Sequence, residues 1–168
     1  MVATSLIAAP GPEGLLGAFL GALMLAIAVT DADRYLIPNK LTGAAMALAL
    51  FRAAAIGPDA GWYALLWAMR RVLTVALPLI ALMAAYRALR GRDGLGPGDV
   101  KLVAVASAWL GYVTLFAVVE VAALTGIGAY LLNAAIRRRP LKATAFLPFG
   151  LFLAPAIWLG WLVEAIFA

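Results

Sequence analysis

The chain contains no cysteine and no histidine. Disulfides, thiolate nucleophiles, imidazole general bases and zinc sites built from Cys or His are therefore excluded. So are the Ser-His-Asp and Cys-His arrangements. Charge is also scarce: charged residues make up 12% of the chain, against about 25% in a typical soluble domain. Only eight carboxylates are present: Glu13, Asp31, Asp33, Asp59, Asp93, Asp99, Glu120 and Glu164. Acid–base chemistry near neutral pH must come from these or from Lys and Tyr. What is abundant is apolar, with 66% hydrophobic residues and a mean hydropathy of +1.03. A water-soluble globule of 168 residues could not hide that much apolar surface, so its solvent is partly lipid. This excludes soluble enzymes, secreted modules and nucleic-acid binders. The net charge of +5 does not bring nucleic acid back, because the basic residues sit mostly in short loops between apolar runs.

The apolar runs predict an all-α polytopic membrane protein forming one transmembrane domain over residues 1–168. About six spans are expected, near 14–30, 41–56, 63–86, 99–110, 113–136 and 146–167. No Lys or Arg precedes the first run, so no cleaved signal peptide is expected. Pro38 and Asn39 break the helix after the first span, and a turn is expected at Gly57-Pro58-Asp59-Ala60-Gly61. Arg70 and Arg71 interrupt the third run, so residues 62–71 read as an interfacial start, with Trp62, Tyr63 and Trp67 as an aromatic belt. The run from 102 to 136 is too long for one straight crossing, and Gly111-Tyr112 is the expected turn. The fourth helix is then short, about 18 Å, and its first residues are drawn below the membrane surface. With the 31–40 loop placed inside, ten of the 13 basic residues fall on the cytoplasmic side and the N-terminus lies outside.

That topology gives two carboxylates one address. Asp31 ends the first helix and Asp99 begins the fourth, on the same side of the membrane. Two close carboxylates do not both ionise easily, so one holds a proton that the other lacks. Such a pair can activate a water and protonate a leaving amine, with no His, Cys or metal. Gly94, Gly96 and Gly98 are read as supplying positive φ and close approach. The topology is also compatible with Asp99 as a plain helix N-cap and Asp31 as an ordinary polar helix end.

The segment Asp31-Ala-Asp-Arg-Tyr-Leu-Ile-Pro-Asn39 resembles the first signature of type IV prepilin peptidases, an Asp followed six residues later by Ile/Leu-Pro-Asn/Asp. Gly96-Pro97-Gly98-Asp99-Val100-Lys101-Leu102 resembles their Gly-x-Gly-Asp-hydrophobic-Lys-Leu motif. Ala108-Trp109-Leu110-Gly111 and the stretch from Pro148-Phe149-Gly150 to Ala154 resemble two more. The resemblance runs over about residues 14–165. It implies that Asp31 and Asp99 are the catalytic pair of a membrane aspartic endopeptidase that cuts prepilin or pseudopilin leaders at the cytoplasmic face of the bacterial inner membrane. It further implies that Pro38, Asn39, Gly96, Gly98, Lys101, Pro148, Phe149 and Gly150 belong to the active-site loops or substrate groove. Two positions depart from the pattern: Pro97 fills the variable site, and Leu151 replaces a second proline. Lacking the paired Cys motifs of larger relatives, the chain resembles the minimal forms of Flp-type pilus systems, so cleavage without N-methylation is expected. No cofactor or metal is implied. The expected partners are substrate and membrane lipid, and the oligomeric state is not addressed.

Other readings have less support. A presenilin-like protease would share Gly-x-Gly-Asp, but the Tyr-Asp and Pro-Ala-Leu elements are missing. A proton-coupled transporter would place carboxylates near mid-membrane and show internal repeats. A noncatalytic assembly subunit would not need both aspartates. Asp33 reads as a solvated loop carboxylate, Arg137–Arg139 as a topology anchor against anionic lipid, Arg70 and Arg71 as outer-interface markers, and Trp109 as core or groove.

Overall fold

A computed structural model describes residues 1–56, 59–91, 94, 96–138 and 147–167. Gly57 and Pro58 of the turn expected over 57–61, the basic residues Arg92, Arg139 and Lys142, and the start of the last span at Phe146 lie outside the described residues, while residues 59–61 do form a turn. Those described form seven α-helices and no strand: α1 (Val2–Ala8), α2 (Pro12–Arg34), α3 (Asn39–Ala55), α4 (Trp62–Arg90), α5 (Pro97–Trp109), α6 (Tyr112–Ile136) and α7 (Phe149–Phe167). Among them, α2, α4, α6 and α7 are long and apolar enough to cross a membrane. The protein is an all-helical, multi-pass membrane protein.

Local chemistry sets the helix ends. Pro12 occupies the first turn of α2 behind Gly11, whose φ of 84° needs a residue without a β-carbon. Helix α2 stops at Tyr35, which is left-handed and donates its N–H to the Asp31 carbonyl. Pro38 then starts α3. Gly91 closes α4 in the left-handed region, with its N–H on the Arg87 carbonyl. The turn at Gly111 falls where the length argument placed it, between the end of α5 and the start of α6.

Helix α5 is the central element. It touches α3, α4, α6 and α7, and it is buried from Leu102 and from Ala104 through Trp109. Around it, Leu20, Met24 and Ile27 of α2 and Leu153, Ile157 and Trp161 of α7 form the core. Helices α2 and α7 pack most extensively. Their approach depends on Gly17, where a β-carbon would fall inside the Trp161 ring. Gly17→Leu is therefore expected to overpack the α2–α7 seam and destabilise the fold by about 1–3 kcal/mol. A thermal-unfolding midpoint in detergent, lower than that of the wild type, checks this.

Two features differ from the sequence reading. Helix α1 was not expected. Seven residues are too few to show helical periodicity, yet α1 packs on α2, with Ser5 wholly buried and accepting a hydrogen bond from Trp158 Nε1 at 3.2 Å. Helix α4 runs through Arg70 and Arg71, as the reading of residues 62–71 as the start of this helix expected; what differs is the setting of the two guanidiniums. Arg70 stacks over the Trp67 ring at 3.9 Å. Arg71, read from the sequence as an outer-interface residue, is half-buried and bonded to the end of α5.

Candidate active site

Asp31 lies in the last turn of α2 and is only 5% exposed. Burial of a carboxylate needs donors, and α7 supplies them. The Leu151 N–H donates to Asp31 Oδ2 at 3.0 Å, and the Gly150 N–H also points at this carboxyl. These are first-turn amides of α7, which lack the usual partner four residues back; the Leu151 N–H also reaches the Pro148 carbonyl at 3.3 Å. Asp31 thus caps the N-terminus of a helix that follows it by more than a hundred residues. Gly150 makes the approach feasible: a β-carbon there would lie 2.9 Å from both Asp31 Oδ2 and Ile37 Cδ1.

Asp99 comes to the same place from α5. That helix is capped by Gly96 and has Pro97 in its first turn, so Asp99 is the third helical residue and not the N-cap. Its half-buried carboxyl folds back over Gly96, where a β-carbon would sit 2.7 Å from Oδ2. Asp99 and Asp31 lie within electrostatic reach of each other. Ile37 is the spacer between the starts of α5 and α7. It is buried, touches Gly150 on one side, and would lie 3.1 Å from a β-carbon on Gly98 on the other. The glycines therefore serve close approach. Positive φ is not their role, since the described glycines that adopt it are Gly11, Gly61 and Gly91.

The remaining sequence-predicted residues lie around the pair. Lys101 Nζ donates to Asn39 Oδ1 at 2.8 Å, which ties the start of α5 to the start of α3. The Pro38 carbonyl accepts from the Thr42 hydroxyl at 3.3 Å. Pro148 and Phe149 are half-buried at the entry to α7. Asp33 is exposed, and Trp109 is a core residue whose Nε1 donates to the Ala45 carbonyl at 3.1 Å. Among the described residues no three acidic side chains converge in a way that would hold a metal ion.

The sequence reading passed over Ile37 as a contact residue and Leu151 as a donor. Ile37 was visible only as a motif letter. Leu151 was read as a departure from a proline, yet proline has no N–H, and this substitution is what permits the bond to Asp31.

Residues 18–131 match the model of the type IV leader peptidase family. The chain belongs to that family. It is 32% identical over 162 residues to a prepilin leader peptidase/N-methyltransferase of Aeromonas hydrophila, covering 94% of this chain and 52% of the relative. A protein of the same description from Burkholderia pseudomallei (strain 1026b) is 36% identical over 156 residues, covering 86% and 45%. One from Neisseria gonorrhoeae is 32% identical over 143 residues, covering 85% and 46%. The chain spans about half the length of the curated relatives it matches. No solved structure matches it.

Proposed function

We propose that this member of the type IV leader peptidase family is an aspartic endopeptidase that removes the leader from prepilin or pseudopilin precursors, of the Flp type in particular. The observation that carries the reading is that Asp31 and Asp99, on helix ends far apart in sequence, lie within electrostatic reach of each other, with Ile37 packed between Gly150 beside one and Gly98 beside the other. The pair shares one proton between two carboxyls and acts as a unit. A water held between them loses a proton to one carboxylate as its oxygen attacks the scissile carbonyl. The other carboxyl gives its proton to the leaving nitrogen. The products are a leader ending in a carboxylate and a pilin with a free amine. The substrate's own hydrophobic helix lies in the bilayer, with the cleavage junction unwound between the ends of α2 and α5.

The proposed domain is a single six-crossing unit in the bacterial inner membrane. Its N-terminal end faces out and the aspartates are at the cytoplasmic side. The excess of Lys and Arg in the loops at the aspartate end supports that orientation. Lys101 and Asn39, bonded to each other beside the pair, together with Pro38, Gly96, Gly98, Pro148, Phe149 and Gly150, form the walls and loops of the site. Of the two activities in the relatives' descriptions, cleavage alone is assigned here, because the chain has no cysteine and so none of the paired Cys motifs of the larger forms.

The test is incubation of the purified chain in liposomes with a Flp-type prepilin and S-adenosylmethionine, followed by mass determination of the product. A mature pilin with an unmodified N-terminal amine is expected. Intact prepilin across several candidates would end the peptidase reading, and a product heavier by one methyl group would end the assignment of cleavage alone. Leu151→Pro is tolerated in a first helical turn but removes one donor to Asp31. It is expected to slow cleavage by roughly ten- to a hundredfold, in line with about 1.5–3 kcal/mol for a hydrogen bond to a charged group, read from initial rates.

A further inference from the structure

Helix α5 is short. Its 13 residues span roughly 20 Å, against roughly 34 Å for the 23 residues of α2. One end of α5 carries Asp99. The other ends inside the protein, with Trp109 and Leu110 almost wholly buried. The last four carbonyls of a helix have no partner within it, and here they cannot reach water. Each is nonetheless satisfied. The Ala106 carbonyl accepts from the Leu110 N–H at 2.8 Å. The Ser107 carbonyl accepts from Arg71 Nε at 3.0 Å, and the Ala108 carbonyl from Arg71 Nη2 at 3.3 Å. The Trp109 carbonyl accepts from Arg52 Nη1 at 3.3 Å.

Two guanidiniums from two other helices thus close the C-terminus of α5, where cations are favoured by the helix dipole. Both are held in turn. Arg52 pairs with Glu13 of α2 at 2.5 Å and lies 5.5 Å from the centre of the Trp109 ring. Glu164 of α7 interacts electrostatically with Arg71 and accepts the Gly111 N–H at 2.8 Å. The fork of Arg71 spans two successive carbonyls, so it reads the axial position of α5 against α4 and not merely its presence.

We propose that Arg71, supported by Arg52, is a positioning residue that sets the height of α5 and thereby holds Asp99 level with Asp31. This rests on the reading of the two aspartates as the catalytic pair. A helix is stiff along its axis, so a register change at Ser107 and Ala108 is transmitted to Asp99, about two turns away.

The chain has no cysteine of its own, which allows a distance reporter at the aspartate end that does not depend on activity. A β-carbon on Gly98 would lie 3.1 Å from Ile37 Cβ, close to disulfide range. The double variant Ile37→Cys/Gly98→Cys is expected to cross-link on mild oxidation in membranes. Adding Arg71→Gln is expected to lower the cross-linked fraction several-fold. In the cysteine-free chain, Arg71→Gln is expected to reduce kcat by about ten- to a hundredfold with KM unchanged, both per inserted molecule. Arg71→Lys, which keeps a cation on one carbonyl, is expected to restore most of the cross-link and of kcat. If Arg71→Gln fails to accumulate, Arg71→Lys and Arg52→Gln carry the same comparison, with smaller drops in both readouts. Wild-type cross-linking in Arg71→Gln would overturn the proposal, as would a fall in kcat without a fall in cross-linking. If the wild type cleaves no prepilin, the peptidase reading fails, while the cross-link still shows whether the clamp sets the position of α5.

Discussion

Asp31→Asn is expected to abolish leader cleavage while leaving the protein folded in the membrane, and Asp31→Ala is expected to do both kinds of damage. The difference follows from the two tasks of one carboxyl. As a member of the pair, Asp31 must carry or release a proton, which an amide cannot do. The rate is expected to fall by at least about 10³-fold, within the range set by general acid–base catalysis combined with loss of the shared proton. As a cap, Asp31 accepts amide N–H groups from the first turn of α7, including that of Leu151 at 3.0 Å. Asn keeps one acceptor oxygen for them. Ala keeps none: the Gly150 N–H loses its Asp31 acceptor and the Leu151 N–H keeps only the Pro148 carbonyl at 3.3 Å, at a cost of about 1–3 kcal/mol. Comparing the thermal midpoints of the two variants in detergent separates the tasks. Equal midpoints would mean that the cap contributes nothing to stability. Among the described residues Asp99 accepts no such amide bond, so Asp99→Asn and Asp99→Ala are expected to be equally inactive and equally stable.

Gly150→Val is the second large effect expected. Its side chain would have to occupy the space taken by Asp31 Oδ2 and Ile37 Cδ1, each 2.9 Å from the β-carbon position. One of three things must move: the carboxylate, the spacer residue or the start of α7. Each displacement separates Asp31 from its amide donors or from Asp99. A shift of about 1 Å in a catalytic group can reduce the rate by a hundredfold, and a loss of that order in kcat is expected. Gly150→Ala poses the same conflict with less bulk and is expected to fall between the wild type and Gly150→Val. Activity of Gly150→Val equal to the wild type would show that this contact does not hold the site.

Much of this was legible in the sequence, for physical reasons that differ from residue to residue. Long apolar runs announce membrane helices because hydrocarbon tolerates little else, and α2, α4, α6 and α7, the described helices long and apolar enough to cross a membrane, lie on such runs. Asp31 and Asp99 stood out because carboxylates beside apolar runs are few and costly. The short α5 followed from the length of the run after Asp99 and the glycine at 111. The rest depended on three-dimensional packing. Arg71 looks like an interface residue on its own helix, and only the buried end of α5 explains why it turns inward. Asp99 looked like a possible N-cap, whereas Gly96 and Pro97 start the helix earlier. The glycines before it suggested positive φ, but their use is contact: Gly96 against Asp99 and Gly98 against Ile37. The hydrogen bond from Leu151 uses a backbone atom that no side-chain pattern reveals.

The central claim is that Asp31 and Asp99 together cut a prepilin leader. It is tested most directly by co-expressing a Flp-type prepilin with the wild type, Asp31→Asn or Asp99→Asn, and following the size of the pilin against the amount of inserted enzyme. Processing by the wild type alone, with all three proteins inserted equally, is the predicted result. Processing by both single variants at the wild-type level would contradict it.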